Sequence, residues 1–92
     1  MPVRLTGTLI CKDAGQAARV AEHLPRHIEL TRAEPGCLSF DVEPTDDPLI
    51  WDVSEEFRDD AAHDLHQERT AASDWARQTA GTARSYVLRR TQ

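Results

Sequence analysis

The stretch from Arg32 to His66, RAEPGCLSFDVEPTDDPLIWDVSEEFRDDAAHDLH, decides the fold. It starts where a long helical pattern stops, passes through two short alternating segments, and returns to helix behind a polar start. Pro35-Gly36 marks the first boundary, because proline cannot donate a helical backbone hydrogen bond and glycine tolerates a positive φ. Beyond it Leu38, Phe40 and Val42 alternate with Ser39, Asp41 and Glu43, and Leu49, Trp51 and Val53 alternate with Ile50, Asp52 and Ser54. A period of two predicts two strands. Between them Pro44-Thr45-Asp46-Asp47-Pro48 reads as a solvent-facing turn, since its acids lack the alternating ligand register and closing glutamate of a calcium loop.

Upstream, Val3 to Lys12 places Val3, Leu5, Gly7, Leu9 and Cys11 on one side, which predicts a first strand with a largely apolar face. Asp13 is positioned to cap the following helix, where Ala17, Val20, Ala21, Leu24 and Ile28 fall on one stripe. Pro25 interrupts that stripe, and one kinked helix running to Ala33 is expected. Downstream, Arg58, Asp59 and Asp60 open a second helix whose narrow buried face is Ala61, Ala62, Leu65 and His66. A short helical piece from Ala71 to Thr79 groups Ala72, Trp75 and Ala76, Gly81 ends it, and Ser85 to Arg89 reads as the last strand. Arg84, Arg89 and Arg90 read as solvent and salt-bridge surface.

The order predicts an α+β, ferredoxin-like split β-α-β-β-α-β fold with an antiparallel sheet and both helices on one face. With Leu38, Phe40, Val42, Leu49, Trp51, Val53, Tyr86 and Leu88 turned to the helices, the other face carries Thr6, Thr8, Ile10, Cys37, Ser39, Asp41, Ile50, Asp52, Ser54 and Val87. That set is too mixed for free surface or for core, and a second copy of the chain packed on it accounts for the mixture.

Ninety-two residues form a single domain, 1–92, too short to enclose a deep pocket unaided, so a cavity completed by a partner copy is expected. Sixteen acidic against eleven basic side chains give a net charge of -5, which argues against broad nucleic-acid contact. No run of eighteen apolar residues occurs, so no membrane span is expected and the cytoplasm is the default location. Cys11 and Cys37 read as small buried thiols rather than a disulfide framework.

The run Arg32 to Gly36-Cys37-Leu38 with Phe40, followed by Glu55, Phe57, Ala61, Ala62 and His66, resembles the antibiotic-biosynthesis monooxygenase-like domain family. The resemblance implies a homodimeric α/β barrel and, in the cofactor-independent members, monooxygenation of a small electron-rich aromatic such as a quinol or anthrone-like compound by molecular oxygen. In the polyketide oxygenases an asparagine, and a tryptophan four residues later, sit on the third strand. Val53 and Phe57 stand at those positions here, and neither can donate a side-chain hydrogen bond.

Glu55 and His66 are the best polar pair: the imidazole can take a phenolic proton while a carboxylate fixes its tautomer. Phe57, Trp75, Trp51 and Phe40 are the candidate substrate contacts, and with Tyr86 they can equally be packing mass. Arg32 reads as a surface partner of Glu34. His23 and His27, four apart, read as a solvated helix face with no third metal ligand, and no cofactor or metal is expected. A non-enzymatic small-aromatic-ligand-binding dimer and a structural homodimer are the competing readings, with haem degradation behind them.

Overall fold

A computed structural model describes residues 1–90. Its elements are β1 (Val3–Ile10), α1 (Ala14–Arg32), β2 (Cys37–Pro44), β3 (Ile50–Phe57), α2 (Asp60–Ala71), α3 (Asp74–Gln78) and β4 (Ala83–Arg90). The strands form one antiparallel sheet in the order β2-β3-β1-β4, which is the expected ferredoxin-like arrangement. The shared core is built from Leu9 on β1, Val20 and Leu24 on α1, Phe40 and Val42 on β2, Trp51 and Val53 on β3, and Trp75 on α3.

Local chemistry sets the helix boundaries. The Asp13 carboxylate accepts the Gln16 N–H at 2.8 Å to start α1, and Asp59 does the same for Ala62 at 2.8 Å to start α2. α1 runs through Pro25 as one element. Its buried stripe is Gln16, Val20, Leu24, His27 and Thr31, rotated from the expected one, with Ala17 and Ile28 only half-buried at its margin. The rotation carries His27 out of the solvated face assigned to it and into the interior.

α2 also departs from expectation, because it buries Ala62, His63 and His66 while Leu65 is 65% exposed. Its backbone lies so close to the α1–β2 connection that a Cβ on Gly36 would sit 2.3 Å from the Ala62 methyl. Close approach, rather than a positive φ, is what requires this glycine; among the described residues only Gly81 has a positive φ, of 90°, where the chain turns into β4.

In β2 the register shifts between Cys37 and Ser39, and this irregularity leaves Leu38 exposed while Phe40 and Val42 face the helices. Leu88 is exposed as well, since it sits on the edge strand β4. Cys11 is buried, Cys37 is half-buried, and both are free thiols. Among the described residues no helix is long and apolar enough to cross a membrane.

Gly36→Ala is expected to destabilise the protein by about 1–3 kcal/mol in urea titrations, because the added methyl has to displace α2. Gly15→Ala meets only the Asp13 carboxylate at 3.5 Å and is expected to gain up to about 1 kcal/mol. Equal effects would show that the contact between Gly36 and Ala62 is not tight.

Candidate functional site

Between the sheet and the helices lies a cavity of about 330 Å³, near the lower end of the ~300–1,000 Å³ typical of small-molecule sites. Strand alternation aims Leu5, Phe40, Val53, Glu55, Arg84 and Tyr86 into it from below, and the helices supply His27, His66, Thr70 and Trp75. All of these belong to one chain, and the cavity is on the helix-covered face. This cavity lies on the opposite side of the sheet from the space expected between two open sheet faces.

His66 is buried, and its Nδ1 lies 3.1 and 3.2 Å from the two carboxylate oxygens of Glu34. Glu34 also accepts from Arg69 Nε, and Arg69 Nη2 donates to Thr31 Oγ1 at 2.9 Å. A carboxylate so held only accepts, so Nδ1 carries the hydrogen and Nε2 keeps its lone pair. Nε2 is 3.5 Å from the hydroxyl of Thr70, another cavity residue. Burial lowers the His66 pKa, and the hydrogen bond and charge of Glu34 oppose that shift. The partner of His66 is therefore Glu34 rather than Glu55. Arg32 is not beside Glu34: its guanidinium donates to the Phe40 carbonyl at 2.9 and 3.1 Å and to Asp41 at 3.1 Å.

Glu55 is 6% exposed and borders the cavity, and among the described residues its carboxyl has no ion-pair partner. Burial, reinforced by the charge of Glu34 and opposed by Arg84, pushes its pKa up to about 7. His27 stacks on Trp75 at 4.6 Å and 3°, and meets Phe40 edge-on at 5.3 Å. Its Nδ1 is buried without a partner. Burial first, then the positive charges of His66, Arg69 and Arg84, push its pKa down to about 3, so the ring is neutral.

Of the aromatics expected to contact a ligand, Phe40 and Trp75 line the cavity. Phe57 is fully buried with its ring centroid 4.8 Å from His66 and 5.5 Å from His63, which makes it a support for the histidines rather than a wall. Trp51 is in the core away from the lining. Tyr86 lines the cavity beside β1, where it pairs with Gly7; a Cβ there would come within 2.8 Å of Tyr86 Cδ1. Reading the sequence by residue type missed Glu34, His27 and Arg84. His27 shares the helical spacing of Val20, Leu24 and Thr31, and Arg84 shares the strand face of Tyr86, so both carried a positional signal. Glu34 carried none.

This fold and cavity define a small α+β protein with a polar aromatic site inside one chain. The sequence model of the antibiotic biosynthesis monooxygenase family matches residues 11–78, and the chain belongs to that family. Among solved structures it is similar to protein YJCS, with a TM-score of 0.84, 16% identity and 100% of both chains covered. It is also similar to a candidate antibiotic biosynthesis monooxygenase from Nitrosomonas europaea, with a TM-score of 0.80, 20% identity and coverage of 99% of this chain and 98% of that one. SnoaB, a cofactor-independent oxygenase from Streptomyces nogalater, aligns with a TM-score of 0.80 and 12% identity over 99% of this chain and 93% of that one. At these identities the likenesses show the fold. Comparison with curated protein sequences finds no match.

The raised Glu55 pKa has a signed consequence. The folded value of about 7 stands above the ordinary 4.5, so the folded state holds this proton more tightly than the unfolded chain. The associated stability is full below the ordinary value and is lost as pH rises through the folded one. Glu55→Gln, permanently neutral, is expected to stabilise the protein by about 3 kcal/mol more at about pH 8 than at about pH 4 in urea titrations. The same offset at both pH values would contradict the burial of this carboxyl. His27 works in the opposite sense, since its depressed pKa gives stability that is lost as pH falls from 6.5 towards about 3.

Proposed function

We propose that the protein is a cofactor-independent monooxygenase of a small, electron-rich aromatic, a quinol or anthrone-like phenol. The observation that carries this reading is the convergence on one aromatic-walled cavity of His66, oriented by Glu34, and the unpaired carboxyl of Glu55. His66 Nε2 takes the proton of the substrate, and Nδ1–H, held by Glu34, steadies the imidazolium that forms. Glu55, with its proton retained into the neutral range, donates to the developing oxyanion. The resulting carbanion passes one electron to O2. Recombination forms a carbon–oxygen bond, and the O–O bond then breaks with loss of water: in an anthrone the CH2 carbon becomes a carbonyl and its two hydrogens leave with the second oxygen, and in a quinol one ring C–H and one hydroxyl hydrogen do so. The protein binds the ring, moves the proton and shields the anion from water.

Oxygen uptake by metal-free protein over a panel of hydroquinones and anthrones tests this. His66→Ala is expected to lower turnover about 100-fold or more, and unchanged turnover would remove the histidine from the mechanism. Glu34→Gln removes the carboxylate charge that helps hold the His66 pKa up, so the acidic limb of the kcat/KM profile is expected to move to lower pH.

A second reading is a non-enzymatic binder of small aromatics. Val53 favours it, because this cavity residue puts an apolar surface where the polyketide oxygenases have asparagine. Saturable binding without oxygen uptake would establish it. We further propose that two copies associate through the open sheet face, where Ile10 and Val87 are 36% and 54% exposed. Val87→Glu is then expected to convert a dimer to a monomer in sedimentation, and a wild-type chain that stays monomeric at micromolar concentration would refute the association.

A further inference from the structure

One side of the cavity carries a charge that the oxidation does not use. Arg84 and Tyr86 are two residues apart on β4, so they share a sheet face, and both line the cavity. Arg84 is exposed at the mouth, whereas Tyr86 is half-buried beside Gly7, where a larger residue would collide with its ring. Other arginines on this layer are occupied: Arg32 holds Asp41, Arg69 holds Glu34, and Arg90 holds Asp60. Arg84 has no carboxylate within ion-pair distance among the described residues, although it is near enough to oppose the upward pKa shifts of both Glu55 and Tyr86.

The cavity is therefore graded. The exposed Arg84 guanidinium, without a carboxylate partner and hydrogen-bonded to the Tyr86 phenol, stands at the mouth, Phe40 and Trp75 supply apolar wall, and Glu55 supplies a buried carboxyl that a ligand hydroxyl can meet. A permanent anion is costly to strip of water and stays at the mouth, while a neutral hydroxyl is buried at little cost once hydrogen-bonded. We propose that Arg84, together with the Tyr86 hydroxyl, recognises a carboxylate on the aromatic ligand, so that the ligand class is a hydroxylated aromatic carboxylic acid of one or two fused rings, bound ring-first. The proposal rests on reading the cavity as an aromatic-ligand site and is independent of the oxygen chemistry.

Matched pairs of ligands test it: hydroxynaphthoate against naphthol, and para-hydroxybenzoate against phenol, each titrated into the full chain at low salt while following tryptophan fluorescence. The acid of each pair is expected to bind about tenfold more tightly, with a preference that shrinks as salt is added. Arg84→Gln is expected to bring the paired affinities together, and Arg84→Lys to retain part of the preference. Equal binding of acid and phenol by the wild type, or a preference that survives Arg84→Gln, overturns the carboxylate site and leaves the aromatic cavity standing. Absence of saturable binding by every ligand overturns both.

Discussion

The Glu34 carboxylate, held between His66 and Arg69, joins the end of α1 to the middle of α2, and the placement of α2 depends on it. α2 has little apolar surface with which to anchor itself. Its buried residues are one alanine and two histidines, and its one leucine faces outward. Burial of so small a face contributes little, because hydrophobic stabilisation scales with the apolar area removed from water. Hydrogen bonds to a charged group are worth about 1.5–3 kcal/mol each, so the acceptance of two donors from successive helical turns outweighs what the missing leucine would have supplied. The same contacts fix which nitrogen of His66 bears the hydrogen. Helix docking and tautomer choice are thus one interaction, and a change at Glu34 moves both.

Incomplete filling of the space above the sheet accounts for the titration behaviour of the site. Glu55 and His27 both border the cavity, both are deprived of bulk water, and burial is the leading influence on each. Desolvation favours the neutral form whatever the sign of the charge, so the acid is raised and the base lowered. The consequence is a buried cluster in which His27 is neutral and Glu55 keeps its proton until the pH rises to about 7. Such a cluster is compatible with an aromatic ligand, and it preserves hydrogen-bonding capacity that a fully apolar core would lack. His27 shows how this is tolerated: its Nδ1 goes unpaired, but its faces and edge are taken up by Trp75 and Phe40.

Element order and antiparallel pairing were legible because period-two alternation in β2 and β3 and two aspartate caps are local signals. What escaped were properties set by tertiary contact. Leu38 alternates correctly in sequence and is nonetheless turned out by the irregularity in β2, which no residue type announces. His27 was assigned to solvent on account of its spacing from His23, although a small rotation of the buried stripe puts it inside. Residue type alone offers Glu55 to His66 and leaves Glu34 as a surface partner of Arg32. Glu34, thirty-two residues from His66, meets it only because the α1–β2 connection passes beneath α2 at Gly36. Family resemblance supplied His66 and Glu55 as positions but no geometry relating them.

The departures at Val53 and Phe57 take on a different meaning once β3 is seen from the cavity. Positions 53, 55 and 57 lie on one buried face of the strand, so the three side chains share one environment. Val53 is apolar wall, Phe57 is a fully buried support beneath the His66 ring, and Glu55 between them is the polar group of this strand that reaches the cavity. A tryptophan at 57 would be larger than the buried site that holds His66, and overpacking there would displace the imidazole from Glu34. An asparagine at 53 would add a second polar group beside a carboxyl already short of partners. The strand therefore keeps one hydrogen-bonding group in the cavity and uses the position beyond it to hold the histidine, which places the carboxyl and the imidazole at the junction of strand and helix rather than along the strand alone.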